Sequence, residues 1–170
     1  MKKLLTTYIK AIANQTMKGD STENSYYGFV KELFTEVGKL QGRKVDVTVN
    51  PKSTEAGNPD FRVWDGEYFI IGYIEAKLPG DLDNHRHQEQ FDRYTSTFPN
   101  VILSDFYQFR LYQDGQQVDS AVIARQFTAR IGRQRFHKAF GDNAAKIGLQ
   151  KFQHFIQVVV PMPRRNKLID

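Results

Sequence analysis

Charged side chains surround the end of one apolar segment of the chain. The segment 68–74 is rich in aromatic and β-branched residues and runs into Glu75-Ala76-Lys77, while Asp60 follows Pro59 upstream. Burying such charges alone is expensive, so they must be paired, solvated or bound to a metal ion. Two carboxylates that converge beside a backbone carbonyl, such as that of Ala76, form the oxygen-rich, incomplete octahedron that Mg²⁺ prefers.

An ion held by Asp60 and Glu75 would polarise a phosphoryl oxygen and lower the pKa of a water molecule. Lys77 beside it could orient or deprotonate that water and neutralise charge on phosphorus. The chemistry that these residue types indicate is phosphodiester hydrolysis. The alternative is an ordinary Glu75–Lys77 ion pair at a strand end, exposed and contributing little.

A hairpin must position these groups. Asp65-Gly66 is a strong turn signal, and it predicts that residues 61–63 pair antiparallel with residues 68–77. Strand side chains alternate between the two faces of a sheet, so Glu75 and Lys77 are expected on one face.

The register of this hairpin decides whether the carboxylates meet. A two-residue turn would place Asp60 opposite Ile71, on the same face as Glu75 but four residues away, on the order of 13 Å. A wider loop, lengthened by an even number of residues, would bring Asp60 and Glu75 together. Convergence is therefore the critical expectation.

The rest of the pattern predicts a mixed α/β domain. Apolar residues recur at helical spacing or alternate at strand spacing in separate segments, with turn signals between them. The order predicts a sheet that is antiparallel at its start, with a helix between later strands. The predicted helices cover residues 2–14, 87–97 and roughly 146–156, with a longer helix that follows an N-cap at Asp20 or Ser21, carries an apolar stripe from Tyr26 and Tyr27 to Leu40 and ends near Gly42. The predicted strands cover 45–49, 61–63, 68–77, 101–103, 107–112 and 117–123.

Length and composition restrict the class of protein. The 170 residues suit one domain, and the chain has no cysteine, which excludes disulfides and thiolate metal sites. The N-terminus turns polar by Thr6, so neither a secretory signal nor a membrane span is expected. We expect a soluble, cytoplasmic protein.

The net charge of +5 is unevenly distributed. Residues 1–120 carry 14 Lys/Arg against 17 Asp/Glu, whereas residues 121–170 carry 10 against 2. A basic cluster of this kind could follow a DNA phosphate backbone, and a solvated basic face is the alternative. The candidate DNA-binding residues in it are Arg130, Arg133, Arg135 and Lys138.

Five segments in a fixed order carry a resemblance to a known family. Pro59-Asp60 followed by Glu75-Ala76-Lys77 resembles the PD-(D/E)xK nuclease motif. The flanks are similar to the N-terminal endonuclease domain of type IIG and single-polypeptide type I restriction-modification enzymes. The matching segments are STENSYYGFVKEL (21–33), GNPDFRV (57–63), GYIEAK (72–77), QFDRY (90–94) and FPNVILSDFYQFRLYQDG (98–115).

This resemblance implies a restriction-endonuclease-like core and a role for each motif residue. Asp60, Glu75 and the Ala76 carbonyl would bind catalytic Mg²⁺, with Mn²⁺ as a substitute, and Lys77 would assist the attacking water. Glu23 would support the metal directly or through water. An alternative for Glu23 is a helix capping box, Asp20-x-x-Glu23, with aspartate replacing the usual Ser/Thr.

Gln90 and Tyr94 fit the QxxxY element of related nucleases. They are an i, i+4 pair on one helical face. The Gln90 amide could hold the scissile phosphate or the lysine. Tyr94 could contact DNA, and it could equally be a core residue.

The implied function is that of a Mg²⁺-dependent endonuclease domain of a restriction-modification enzyme, which cleaves double-stranded foreign DNA. Residues 1–125 would form the nuclease core, and residues 126–170 a basic helical extension that starts a spacer. Because no methyltransferase or ATPase motif occurs, we expect a fragment of a longer enzyme that carries methyltransferase and recognition domains, and in one branch an ATPase.

Cleavage of both strands would require a second nuclease copy. Two other hypotheses stay open. One is a catalytically silent module of the same fold that binds DNA or a partner. The other is a metal-dependent enzyme for a small substrate, which predicts a deep apolar pocket rather than an open basic groove.

Overall fold

The computed structural model of the chain describes residues 1–84, 88–124, 127–131, 134–138 and 155. Side chains are described for residues 1–84, 88–124 and 155. The elements in chain order are α1 (Lys2–Met17), a 3₁₀ helix (Glu23–Tyr26), α2 (Tyr27–Leu40), β1 (Asp46–Val49), β2 (Phe61–Trp64), β3 (Ile70–Ala76), α3 (Gln88–Thr97), β4 (Asn100–Ser104), β5 (Gln108–Gln113), β6 (Gln116–Val122), β7 (Phe127–Ile131) and β8 (Gln134–Lys138).

Strands β1 to β6 form one mixed sheet in sequence order. All neighbouring pairs are antiparallel except β3 and β4, which are parallel. Parallel neighbours need a crossover connection, and α3 lies within it. The predicted α/β class and the sheet flanked by helices are confirmed, and the architecture is consistent with the predicted restriction-endonuclease-like core.

Helices α1 and α2 supply the apolar layer on one face of the sheet. Apolar residues at helical spacing on α2, including Leu33 and Phe34, are buried in the same cluster as Phe61 of β2 and Ile74 of β3. This cluster is the main core. Among the described residues, no helix has the length and apolar character that a membrane span requires.

Helix α3 covers the other face over β3, β4 and β5. Its buried residues Phe91 and Tyr94 join a second, smaller cluster, and Tyr73 of β3 stacks on Phe98 with ring centroids 3.9 Å apart. Since neighbouring residues of a strand point to opposite faces, Glu75 lies on the α3 face between Ile74 and Ala76 of the main core. Asp60 directly precedes β2 and the buried Phe61, so it lies at the end of that strand.

The connection between β2 and β3 differs from the predicted two-residue turn. Trp64 pairs with Ile70, so residues 65–69 form a wider loop, and the register shifts at a bulge beside Val63. The Asp65 carboxylate explains the width, because its Oδ1 accepts the backbone N–H groups of Glu67 at 2.9 Å and Phe69 at 3.1 Å. The loop and the bulge shift the register by four residues relative to a two-residue turn.

The predicted helical extension over residues 126–170 is wrong for residues 127–131 and 134–138, which are strands. β7 and β8 form an antiparallel hairpin there, with Phe127 opposite Lys138 and Ile131 opposite Gln134. The alternation of Phe127, Ala129 and Ile131 is typical of a strand. Of the helix predicted over residues 146–156, only Phe155 is described, as a buried helical residue with its ring centroid 6.3 Å from that of Phe109.

Substitution of Gly66 tests the hairpin loop. Gly66 has φ +84°, and a Cβ there would lie 2.4 Å from Lys44 Cγ and 2.8 Å from the Lys44 carbonyl oxygen. We expect Gly66→Ala to lower the free energy of unfolding by about 2–4 kcal/mol, from backbone strain plus crowding. Urea denaturation measures the change.

Gly19→Ala is the matched control. Gly19 has φ +77° but open space around a Cβ, so its substitution should cost only the strain, about 1 kcal/mol. Equal losses in the two variants would contradict the close approach of the loop to Lys44.

Candidate active site

Asp60 and Glu75 converge at neighbouring strand ends. The register pairs Phe61 with Ile74, which brings Asp60, one residue earlier, beside Glu75, one residue later. Asp60 Oδ2 accepts the backbone N–H of Ala76 at 2.7 Å. Asp60 and Glu75 therefore lie side by side, as expected for a hairpin loop longer than two residues. The carboxylate of Asp60 contacts the peptide that follows Glu75.

Tyr27 fixes the second oxygen of Asp60. Its hydroxyl donates to Asp60 Oδ1, and its ring, buried at the start of α2, lies 4.6 Å from the ring of Phe61. Burial, and then the Asp60 carboxylate, raise the pKa of Tyr27, so the phenol stays protonated as a donor. In the sequence Tyr27 fits the apolar stripe of the predicted second helix, although a buried tyrosine hydroxyl requires a partner.

Glu75 and Lys77 form a buried ion pair. Lys77 Nζ lies 2.6 Å from Glu75 Oε1, and the two residues are only 6% and 3% exposed. The alternative of an ordinary exposed pair at a strand end is therefore wrong. The other oxygen, Glu75 Oε2, is also buried and has no hydrogen-bond partner within the described residues.

The site holds more negative charge than its own lysine compensates. The pKa of Glu75 is raised to about 7, chiefly by burial and then by the charge of Asp60, while the contact with Lys77 opposes both effects. A buried carboxylate oxygen without a partner calls for an unseen proton, water molecule or ion. A divalent cation between the two carboxylates would satisfy this requirement.

The donor set suits Mg²⁺. Each oxygen of Asp60 accepts one hydrogen bond and keeps a further lone pair, Glu75 offers Oε2, and the Ala76 peptide adjoins both carboxylates. Mg²⁺ is usually held by one or two carboxylates, with water completing the octahedron. Within the described parts of the chain, no group of three or more acidic or histidine side chains could hold one ion.

Glu23 consequently does not form a three-carboxylate group with Asp60 and Glu75. It lies at the start of the 3₁₀ helix, where its charge raises the pKa of Glu75 as the smallest of the contributions. The alternative capping box with Asp20 is also wrong, because the box pairs Thr22 with Ser25, whose Oγ lies 3.2 Å from the Thr22 backbone nitrogen. Support of a metal through water stays a prediction for Glu23.

Gln90 and Tyr94 meet on α3 as their spacing predicts. Gln90 Nε2 donates to the Tyr94 hydroxyl at 3.0 Å, and Tyr94 is buried in the second core cluster. Burial and the charges of Glu75 and Asp60 raise the pKa of Tyr94, against the Gln90 hydrogen bond, which lowers it. Tyr94 is thus a core residue that also orients Gln90 near the carboxylates.

A small, open recess of about 30 Å³ adjoins Lys77. Its lining includes the polar residues Asp81, Asn84 and Gln88 along with Phe91. This recess is not the deep apolar pocket that the small-substrate hypothesis predicts.

The predicted DNA-binding residues of the basic C-terminal region are only partly described. Arg130, Arg135 and Lys138 belong to β7 and β8, whose side chains lie outside the described part of the structure. Arg133 lies outside the described residues altogether. Their contact with DNA stays a prediction.

Comparison with known proteins identifies the fold. No family model matches the chain, and neither does any curated protein sequence. Seven chains of solved structures match it. One is a chain of the DrdV–DNA complex determined by cryo-electron microscopy, with a TM-score of 0.58 and 20% sequence identity over 72% of this chain and 87% of that chain. At this identity the likeness shows a shared fold.

The role of Tyr27 can be tested by removing its hydroxyl. Partners of metal-binding carboxylates fix ligand orientation, and their loss typically lowers metal affinity about 10–100-fold. We expect Tyr27→Phe to weaken Mn²⁺ binding in that range, measured by isothermal titration calorimetry.

Tyr8→Phe is the control, because the buried Tyr8 also donates its hydroxyl, to the Phe106 carbonyl at 2.9 Å, but makes no contact with Asp60. An unchanged Mn²⁺ affinity in Tyr27→Phe, or an equal loss in Tyr8→Phe, would contradict the role of Tyr27.

Breaking the Glu75–Lys77 pair tests its burial. Lys77→Met leaves a buried carboxylate unpaired, so we expect a loss of about 3–5 kcal/mol of unfolding free energy without metal. The Glu36–Lys39 pair has the same 2.6 Å separation but is exposed, so Lys39→Met should cost about 1 kcal/mol or less. Similar losses in chemical denaturation would show that burial does not govern the Glu75–Lys77 pair.

Proposed function

We propose that this chain is a metal-dependent DNA endonuclease domain of the PD-(D/E)xK type, from a restriction-modification enzyme. The observation that carries the proposal is the meeting of the Asp60 carboxylate with the Ala76 peptide beside the buried Glu75–Lys77 pair. Asp60, Glu75, Ala76 and Lys77 belong to one sequence motif. The loop of residues 65–69, which is not part of that motif, sets the register that brings them together.

Two independent findings support DNA as the substrate. The fold is shared with a chain from a DNA complex. The five sequence segments that resemble restriction-modification nucleases include the loop before Asp60, the end of β3 and the α3 segment with Gln90, which carry residues of the proposed site. By that resemblance, the products are a 5′-phosphate and a 3′-hydroxyl.

Asp60, Glu75 and the Ala76 carbonyl are the proposed ligands of Mg²⁺. When bound, the ion supplies Lewis-acid stabilisation of phosphoryl charge and a more acidic water molecule. Tyr27 and the Ala76 N–H hold the Asp60 carboxylate in place before metal arrives. Glu23 would contact the metal-bound shell through water.

Lys77 is the proposed partner of the attacking water. The Lys77 ammonium group donates to Glu75 Oε1 at 2.6 Å. This hydrogen bond fixes the positive charge of the long lysine side chain within the site. From there Lys77 can orient the water and offset charge that develops on the phosphoryl oxygens. Gln90, oriented by Tyr94, is proposed to donate its amide to the scissile phosphate.

Double-strand cleavage, target recognition and methylation are proposed to depend on further parts of a longer parent enzyme. A single site of this kind cuts one strand at a time, so double-strand cleavage would take a second nuclease copy. Target recognition and methylation would belong to linked domains. Arg130, Arg133, Arg135 and Lys138 are proposed to contact the DNA backbone.

Nicking of supercoiled plasmid tests the proposal. We expect Mg²⁺- or Mn²⁺-dependent conversion to the open-circular form, lost by at least about 100-fold in Asp60→Asn and Lys77→Ala because each removes a group that acts on the reacting phosphate. Agarose electrophoresis over time measures the rate.

Glu36→Gln is the matched control for Asp60→Asn, since it removes an exposed carboxylate of α2 and should nick at the unaltered rate. Plasmid that stays intact with either metal, while its mobility shifts on the gel, would instead support the catalytically silent DNA-binding module. Nicking that persists in Asp60→Asn would overturn the assignment of the site.

A further inference from the structure

A second polar surface adjoins the candidate site on the α3 face of the sheet. The apolar cluster under α3 draws on β3, β4 and β5 but on neither β1 nor β2. Residues of β1 and β2 on that face therefore stay accessible, with Thr48 exposed and Arg62 and Trp64 partly exposed. The uncovered β1–β2 surface defined by Thr48, Arg62 and Trp64 begins at Asp60.

Arg62 is held on this surface between two aromatic rings. Its guanidinium carbon lies 5.7 Å from the ring centroid of Trp64 and 5.6 Å from that of Tyr73. Both rings are themselves fixed, since Trp64 Nε1 donates to Thr48 Oγ1 at 3.0 Å and Tyr73 stacks on Phe98. Cation–π contacts of this kind hold a guanidinium in place while leaving its charge uncompensated.

Arg62 forms no ion pair with any carboxylate of the described residues. Within residues 1–84 and 88–124, the ion pairs that form are those of Lys39, Lys77 and Arg110. The guanidinium donates from Nη2 to the Lys52 carbonyl oxygen at 3.3 Å, and its Nε is buried without an acceptor. An arginine that is pre-positioned yet forms no ion pair with the described residues suits an anionic acceptor such as a phosphate.

The position of Arg62 relates this acceptor to the candidate site. Arg62 follows Asp60 by two residues, on the same face, about 6–7 Å along the strand. A DNA strand whose scissile phosphate lies at Asp60 and Glu75 would bring a flanking phosphate to this distance. The exposed side chain of Lys52 lies on the loop before β2, where it adds positive charge to the same surface.

We infer that Arg62 binds a backbone phosphate of the DNA strand next to the scissile one, across the uncovered β1–β2 surface. The inference rests on the proposed function for its substrate. It assigns Arg62 a binding role that the motif residues do not have, because Arg62 touches neither the carboxylates nor Lys77. A purely structural arginine would stabilise the fold without changing how DNA binding responds to salt.

Salt-dependent duplex binding tests the inference. Fluorescence anisotropy of a labelled duplex of about 20 base pairs in EDTA, at roughly 50 to 200 mM KCl, gives the slope of log K against log salt. Loss of one phosphate contact should reduce the steepness of the slope by about 1 and weaken binding roughly eightfold at about 0.1 M salt. We expect both changes in Arg62→Ala.

Lys31→Ala is the matched control, since it removes one positive charge from an exposed position of α2, in the helical layer on the opposite face. We expect it to keep the unaltered slope. If Arg62→Ala fails to fold by circular dichroism, Arg62→Gln, which keeps a polar stem over the two rings, replaces it. An unchanged slope in the Arg62 variant, an equal change in Lys31→Ala, or no duplex binding by the unaltered chain would overturn the inference.

The failure of this inference is distinguishable from that of the proposed function. Binding in EDTA needs no hydrolysis, so the slope reports on Arg62 even if the chain never nicks plasmid. Conversely, metal-dependent nicking with an unchanged slope in the Arg62 variant would leave the nuclease proposal intact and remove only the phosphate contact.

Discussion

The carboxylate of Asp60 is the contact on which the site depends. Its two oxygens join three elements, because Oδ1 accepts from Tyr27 at the start of α2 and Oδ2 accepts from the Ala76 peptide at the end of β3. Asp60 itself begins the return into β2. A change in register of even one residue would move its side chain to the opposite face and separate it from Glu75.

The same geometry lowers the stability of the folded protein at this site. Glu75 and Lys77 are nearly fully buried, and one glutamate oxygen has no partner among the described residues. Two carboxylates close together in such surroundings disfavour each other's charge, as the raised pKa of Glu75 reflects. Local instability of this kind is common at functional sites, where the missing stabilisation comes from a ligand. The main core under α1 and α2 provides the stability that tolerates it.

Much of the architecture could be predicted from local patterns, whereas the details that complete the site could not. Alternating or helical apolar spacing located all six strands of the main sheet and three helices, because burial of one face governs both patterns. The Asp65-Gly66 signal predicted antiparallel pairing but not loop width, which depends on how the Asp65 carboxylate bonds to the loop backbone. The hydrogen bond from Tyr27 to Asp60 could not be predicted, because the Tyr27 ring fits the apolar stripe of α2 and only the tertiary fold brings its hydroxyl to Asp60. In residues 127–131 and 134–138, strand pairing replaces the predicted helical extension, and the alternation of Phe127, Ala129 and Ile131 is the local pattern that indicates it.

The most direct measurement of the central claim is the anomalous scattering of Mn²⁺ in crystals of the chain grown or soaked with the ion. The account predicts one strong peak within coordination distance of both Asp60 and Glu75, with the Ala76 carbonyl oxygen as a further ligand. Diffraction that shows Mn²⁺ elsewhere, or these two carboxylates unoccupied at saturating Mn²⁺, would contradict it.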